Sequence, residues 1–448
     1  MKKKFLYATF SGIFAITVIA ILFSYRSKQD KEANVNYPLL KRVGSSAETD
    51  EWKATYTKGT QLYNAITENP DDNKSKVTLA GLFIKEARAT GNYAYYDKAA
   101  LKYVNDVLKI DSLDFDATVL KSYLYISQHH FADGLAIAEK ARKINPYNSF
   151  VYGLLVDANV EMGNYDSAVS MAQHMVDLRP DIRSYSRVSY LREIYGDYPG
   201  SIEAMKMAVE AGVPGDEGTE WARIQLAHLY ENTGEIKKAE MQYKIALAER
   251  PGYAYALAGL AKLDAFKKDY ISAIALYTRA DSLITDASIQ ESLAEVYALS
   301  GNNAKAEELT RKVIDEMNET AQSGQSDENI GHYVDKELAY AYIKIKNYDK
   351  AIEHAALEYN RRPMNIEVNE ALAWAYYSKG YYATALSYIE AALKTNSKNP
   401  TLLCHAGLIY AKNGNPSKAK LLLQQGLHDD PLIAADLLTE SEDVLKSL

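Results

Sequence analysis

Leu226, Leu260 and Leu293 head three stretches that overlay one another almost residue for residue, at steps of 34 and 33. Leu338 and Leu372 head two more, again 34 apart, and the pattern returns from Leu155, Val188 and Ala406, with a looser copy from Lys121. At 448 residues the chain is too long for one ordinary core. A period of this length describes helix-turn-helix units that cannot bury their apolar faces alone and must stack. That requirement removes most fold classes at once.

One unit, LAHLYENTGEIKKAEMQYKIALAERP from Leu226 to Pro251, shows why the spacing suits two packed helices. Leu226, Ala227 and Tyr230 share a face of a first helix, and Ala239, Tyr243 and Ala246 share a face of a second. Gly234 stands where the first helix ends and a positive φ is useful. Alanine at the crossings lets the backbones approach; a larger side chain there would overpack at about 1–3 kcal/mol per site. Pro251 closes the second helix, because proline cannot continue it.

These stretches, with Leu372, Ala373, Tyr376, Gly380, Tyr382, Ala385 and Ala392 as the fullest copy, resemble the tetratricopeptide repeat (TPR) family from roughly Thr78 to Pro431. The resemblance implies an all-α fold, an α-α superhelix or solenoid of about nine to ten repeats, that binds peptides or proteins in a concave groove lined by the first helices. Residues two and five positions before and after the motif leucine are then the groove positions. The aromatic and polar side chains there, Tyr190, Trp221, His228, Tyr255, Lys262, Tyr333, Tyr340, Trp374 and Tyr377, are the expected partner contacts. Trp and Tyr suit such a role because they offer large contact area at low entropic cost. Rings of this kind also stack on sugars, so a glycan is the alternative ligand, in a cell-envelope polysaccharide assembly or export role. The Lys and Asn arrangement by which some family members clamp a C-terminal carboxylate is not recognisable.

Outside the array, the charge-free run Phe5–Phe23 follows MKKK. As a helix it would span roughly 28 Å, about the hydrocarbon thickness of a bilayer. Residues 1–28 therefore read as a transmembrane anchor, with a cleaved signal segment and a secreted product as the alternative. The basic tail before the apolar run favours the bulk of the chain outside the cytoplasm, on the periplasmic side if the source is bacterial. Residues 29–50 read as a flexible linker, 51–77 as an N-terminal capping helix and its connection, 78–431 as the array, and 432–448 as a C-terminal capping helix. Two insertions interrupt the period, AGVPGDEGTE near Gly215 and NETAQSGQSDENIG ending at Gly331. Their composition reads as loop, either tolerated surface decoration or contact elements on one face.

The remaining observations exclude functions. Net charge is −8, with no basic footprint for a phosphate backbone, so nucleic acid is not an expected partner. Cys404 is the only cysteine, which rules out an intrachain disulfide and a cysteine-rich metal site. There is no phosphate loop, nucleophile elbow or His-Glu zinc spacing. His129 and His130 are adjacent in sequence and would point to different helix faces. No catalytic residue, metal or cofactor is expected, and the chain reads as a non-enzymatic, membrane-tethered scaffold.

Overall fold

In the computed structural model the described residues are 37–42, 47–322, 331–428 and 432–448, together with Thr17, Val18 and Ser24. They form helices and connections only, with no strand among them. The helix α1 (Asp50–Glu68) stands first and alone. Ten antiparallel pairs follow: α2 (Asn73–Thr90) with α3 (Tyr93–Ile110), α4 (Phe115–Ser127) with α5 (Phe131–Ile144), α6 (Ser149–Glu161) with α7 (Tyr165–Leu178), α8 (Ile182–Ile194) with α9 (Tyr198–Glu210), and α10 (Glu217–Asn232) with α11 (Ile236–Glu249). The second half continues with α12 (Ala254–Phe266) and α13 (Tyr270–Asp281), α14 (Ala287–Leu299) and α15 (Asn303–Gln322), α16 (Asp335–Lys344) and α17 (Tyr348–Arg361), α18 (Ile366–Ser378) and α19 (Tyr382–Ala392), and α20 (Pro400–Lys412) and α21 (Pro416–Gly426). A lone α22 (Ala435–Ser447) ends the chain.

The pattern that sets the period also sets the packing. Ala227, Ala239, Tyr243 and Ala246 are inaccessible to solvent, and a methyl group on Gly259 of α12 would collide with the Tyr243 ring. Asn or Asp caps many of the helices, as Asp72, Asn148, Asp216 and Asn365 do by accepting a backbone N–H of the first turn. Between the helices of a pair one residue takes a positive φ: Gly91, Gly163, Gly196, Gly234, Gly301, Gly380 or Gly414, and His129, Lys268 or Lys346 where glycine is missing. The core is accordingly a string of clusters along the array.

The superhelix is wound tightly enough for its successive turns to touch. Thr285, ahead of α14, donates its N–H to the carbonyl of Thr90 (3.4 Å). Tyr333, ahead of α16, donates to the carbonyl of Gln128 (3.2 Å). Asn365, ahead of α18, donates its side-chain amide to the carbonyl of Glu161 (3.0 Å), and the Ile366 N–H donates to the hydroxyl of Tyr165 (2.9 Å), 201 residues away. Asn396, ahead of α20, sets its carbonyl against Gly196. The first pair thus meets the loop entering the seventh, the second the eighth, the third the ninth and the fourth the tenth. About six repeats of this period complete one turn.

This seam explains a difference among glycines that look alike in sequence. A Cβ on Gly91, Gly163 or Gly196 would lie 2.2, 2.2 or 2.7 Å from a carbonyl oxygen of the next turn, whereas one on Gly301, Gly380 or Gly414 would meet nothing within 4 Å. The first group needs both the positive φ and the absent side chain; the second needs only the φ.

Several expectations change. Residues Tyr37–Arg42, placed in a flexible linker, are packed against the first helices. Tyr95 donates its hydroxyl to Pro38 O (2.6 Å), and Arg42 is buried with its guanidinium on the equally buried Glu86 (2.6 Å). A buried arginine is retained only where a carboxylate answers it. The two insertions contribute to the structure as well. Glu217, in the first, binds Arg88 of α2 at 2.9 Å, and Gly331–Val334, at the end of the second, forms part of the seam. Of the expected anchor Phe5–Phe23, all but Thr17 and Val18 lie outside the described residues. Among the described residues no helix is long and apolar enough to cross a membrane.

Candidate functional site

Closure of the turns converts the groove into a lumen lined by the first helices. Tyr190 on α8 shows the consequence: it keeps 37% of its surface accessible although protein surrounds it. Its hydroxyl reaches toward Glu367 of α18 at 3.5 Å, 177 residues on. Lys336, in the first turn of α16, holds the other oxygen of Glu367 at 2.7 Å. The Lys336 ammonium keeps the Glu367 carboxyl below its ordinary range, and Glu367 in return raises the lysine. The charge of Glu367 and then burial raise the Tyr190 phenol; burial, then Glu370 and Glu367, raise Tyr340 on α16. Tyr190 is therefore brought to this carboxylate, and Tyr340 lies on α16 one helical turn on from Lys336, which holds that carboxylate. Beside them burial pushes Glu193 up to about 7, where it accepts an N–H from Asn232 (3.2 Å).

Nearer the first repeats, Tyr255 donates to Asp286 (3.2 Å) and meets Tyr253 edge-on. Tyr253 points at Glu217, which pairs with Arg88 across the lumen. Burial, then the Asp286 carboxylate, raises Tyr255. Between the two groups, Lys262 binds the buried Glu231 at 2.8 Å, and Glu231 also accepts the Tyr243 hydroxyl (2.7 Å). His228, on the same face, is open to the lumen although protein surrounds it, and that surrounding holds its imidazole pKa below the ordinary value. Trp221, one helical turn into α10, is exposed.

The remaining expected contacts are engaged with the protein itself. Trp374 stacks on Tyr377 (4.8 Å between centroids) and on His405 (3.8 Å). Tyr377 is buried and donates its hydroxyl to Glu440 of α22 (2.6 Å). The C-terminal helix thus lies across the inner side of the last repeats. Tyr333 is in the seam and not on a groove helix: its ring stacks on His130 (3.9 Å) with the Arg361 guanidinium on it (3.9 Å). The reason is local. Five residues before Leu338 falls ahead of α16, which begins only at Asp335, whereas the same offset in α10 and α12 falls within the helix.

Sequence reasoning passed over the charged lining, Arg88, Glu193, Glu231, Lys336 and Glu367. The offset rule itself marks four of them: Glu193 and Glu231 lie five after a motif position, Lys336 two before and Glu367 five before. A preference for aromatic rings set them aside.

Chemistry finds little here. Cys404 is buried, with its thiol pushed up to about 11 by burial, and no group of three or more His, Cys, Asp or Glu placed to hold a metal is found among the described residues. What the lining offers is hydrogen bonding, charge of both signs and aromatic surface.

Around α18 to α21 the small residues of the motif are inaccessible where helices cross, Ala373, Ala385, Ala392 and Ala406 among them. Residues 370–432 match the tetratricopeptide repeat family model. Solved TPR structures are similar over longer stretches. A tetratricopeptide repeat protein from Parabacteroides merdae is 17% identical over 59% of this chain and 98% of its own, with a TM-score of 0.34. YrrB, a TPR protein with an unusual peptide-binding site, is 17% identical over 42% of this chain and 94% of its own, at 0.28. The human IFIT1 dimer with m7Gppp-AAAA is 14% identical over 85% and 86%, at 0.44. At such identities and TM-scores these likenesses say nothing about ligands. No curated protein matches the chain.

Proposed function

We propose that the chain is a non-enzymatic interaction scaffold, tethered to a membrane by Phe5–Phe23 with its array on the extracytoplasmic side, which receives an extended peptide segment of a partner protein in the lumen. The observation that carries this reading is the set Tyr190, Tyr340, Lys336 and Glu367: side chains from three first helices, two of them four and five pairs on from the third, face one another across a lined and accessible space. Rings and paired charges in such a space suit a main chain with alternating apolar and polar side chains. The touching turns admit an extended segment more readily than a folded domain. The glycan reading loses its anchor, because the Trp374 ring is taken up by Tyr377 and His405.

The test is photo-crosslinking in living cells from Tyr340 and Trp221, with a probe at the exposed Met241 on the outer helix α11 as control. The expected result is one recurrent protein, captured from the two inner positions and mapped to a single stretch of its sequence. Equal capture from Met241, or none from the inner positions, would remove the lumen as the binding surface. Fractionation of the same cells checks the tether: release of the full-length chain by salt alone would refute it.

A further inference from the structure

The seam between turns uses two kinds of surface, and each is left over once. Loops that enter the first helices dock on the turns between the helices of earlier pairs, and in docking they bury apolar side chains. Ile366 lies among Val160 and Tyr165, and Leu432 among Tyr198 and Tyr230. Among the described residues the loops of the first superhelical turn are covered less: that ahead of α12 meets α1, where Arg250 binds Glu51 (3.2 Å), while those ahead of α4, α6 and α10 leave apolar side chains open. Leu113, ahead of α4, is 63% exposed, Tyr147, ahead of α6, 82%, and Val213, ahead of α10, 70%. Single exposed apolar residues are ordinary, and Met364 of a docked loop is itself 57% exposed; three on one end of the tube, with Tyr147 the barest, leave that end the less covered of the two.

The opposite end carries the other half. The turns of the last pairs keep the left-handed conformation that receives a loop, at Lys268, Gly301, Lys346, Gly380 and Gly414. Gly301, Gly380 and Gly414 have open space where Gly91 and Gly163 have the next turn's carbonyls. Phe266 and Tyr381 stand exposed beside them. The loop end carries Asp71, Asp111 and Asp216 together with Arg179 and Arg250, and the turn end carries Lys268, Lys346 and Lys412 together with Asp269.

We infer that the loop end of one molecule docks on the turn end of a second copy of this chain, continuing the seam from molecule to molecule. The contact is heterologous: the two surfaces are different, each copy keeps one of each free, and association proceeds by addition. A self-complementary dimer would have to use one end twice, setting loop against loop or turn against turn, which the seam within the molecule never does.

The experiment uses the full chain in detergent, with mass followed against concentration by sedimentation. Wild type is expected to grow past the dimer as concentration rises. Tyr147→Lys sets a charge against the lysines of the turn end and so blocks the loop end, and Lys346→Glu blocks the turn end; both positions are exposed, so circular dichroism should be unchanged. Each variant alone is expected to stay monomeric at concentrations about tenfold or more above those at which wild type associates. An equimolar mixture is expected to stop at a one-to-one pair, because each variant retains the end that the other lacks. A monomeric wild type, a wild type that halts at the dimer, or association that survives both substitutions would overturn the inference. The last result would place the contact elsewhere, for instance in the apolar N-terminal run.

Discussion

Gly163 and Met364 lie one superhelical turn apart, and a Cβ on the glycine would come within 2.2 Å of the methionine carbonyl oxygen. Gly380 has the same conformation, with φ of +88°, and no neighbour within 4 Å. Gly380→Ala should therefore cost only the left-handed penalty, about 1–2 kcal/mol. Gly163→Ala should cost that and the displacement of a backbone strand of the next turn. The expected outcome is a clearly lower melting temperature for Gly163→Ala, together with a larger radius of gyration in solution scattering; equal effects of the two substitutions would mean that the turns do not touch.

Arg362 is buried where the turns meet. It donates to Glu358 of its own repeat and to Glu161 of the earlier turn, and its guanidinium lies 4.6 Å from the centre of the Phe131 ring. Removing one member of a buried ion pair strands the other, at a cost of about 3–5 kcal/mol. Arg362→Ala should show that loss in thermal melts, and a second substitution, Glu161→Gln, should recover part of it. Additive losses would mean that the two groups do not interact.

Lys346 and His129 both hold positive φ without being glycine. Lys346→Gly relieves the strain, and the added freedom of the unfolded chain offsets part of the gain, leaving a stabilisation of roughly 0.5–1 kcal/mol. His129→Gly relieves the same strain but loses the imidazole, whose Nδ1 lies 2.7 Å from the Tyr333 carbonyl oxygen and so carries the proton. That variant should be less stable than wild type. Urea titration of the two proteins decides the matter; stabilisation by both would leave the histidine without a role in the seam.

Acid should loosen the seam at this place. Burial lowers His129 to about 4 and His332, whose ring centre is 4.3 Å away, to about 3. Folded-state values depressed below the ordinary 6.5 mean that the unfolded chain takes up protons first, so this stability is complete above pH 6.5 and is lost as pH falls toward 4. Asp97, raised to about 7 by burial, acts in the opposite sense: its contribution is complete below pH 4 and lost as pH rises through 7. Glu161 and Glu193, also raised to about 7 by burial, act in the same sense as Asp97, so the triple variant Asp97→Asn, Glu161→Gln, Glu193→Gln should reveal the histidines, melting several degrees lower at pH 5 than at pH 7. Hydrogen exchange of the Tyr333 N–H should accelerate over the same range while that of Ile366, in a part of the seam without histidine, holds. A flat profile in the variant would remove the imidazoles as the cause.

The share of this architecture visible in the sequence is the share decided between neighbours. Leu372, Ala385 and Ala392 mark a helix pair because the contacts they serve lie within one period, and Gly380 marks the turn because conformation is local. The touching of turns was not visible, since Gly163 and Gly380 occupy the same place in the motif. What distinguishes them is the pitch, the sum of small rotations over about six repeats, which no single residue encodes. The inner face was half visible. The offsets that locate Tyr190 and Tyr340 also locate Lys336 and Glu367, whose pairing across 31 residues joins neighbouring repeats, but the meeting of a phenol with that carboxylate across 177 requires the closed ring. Tyr333 was misplaced because an insertion shortened the helix that was to carry it.

The separation of about 200 residues across the seam has a consequence in time. A chain emerging at 5–20 residues per second makes each turn between the helices of its first four pairs about 10–40 s before the residues that will cover it exist. During that interval Gly91, Gly163 and Gly196 present their backbone to whatever else is nearby, and the late closure makes long-range contact the slow step of folding. An N-terminal fragment ending near Arg250 is, for that period, the actual product of synthesis, with its upper rim bare.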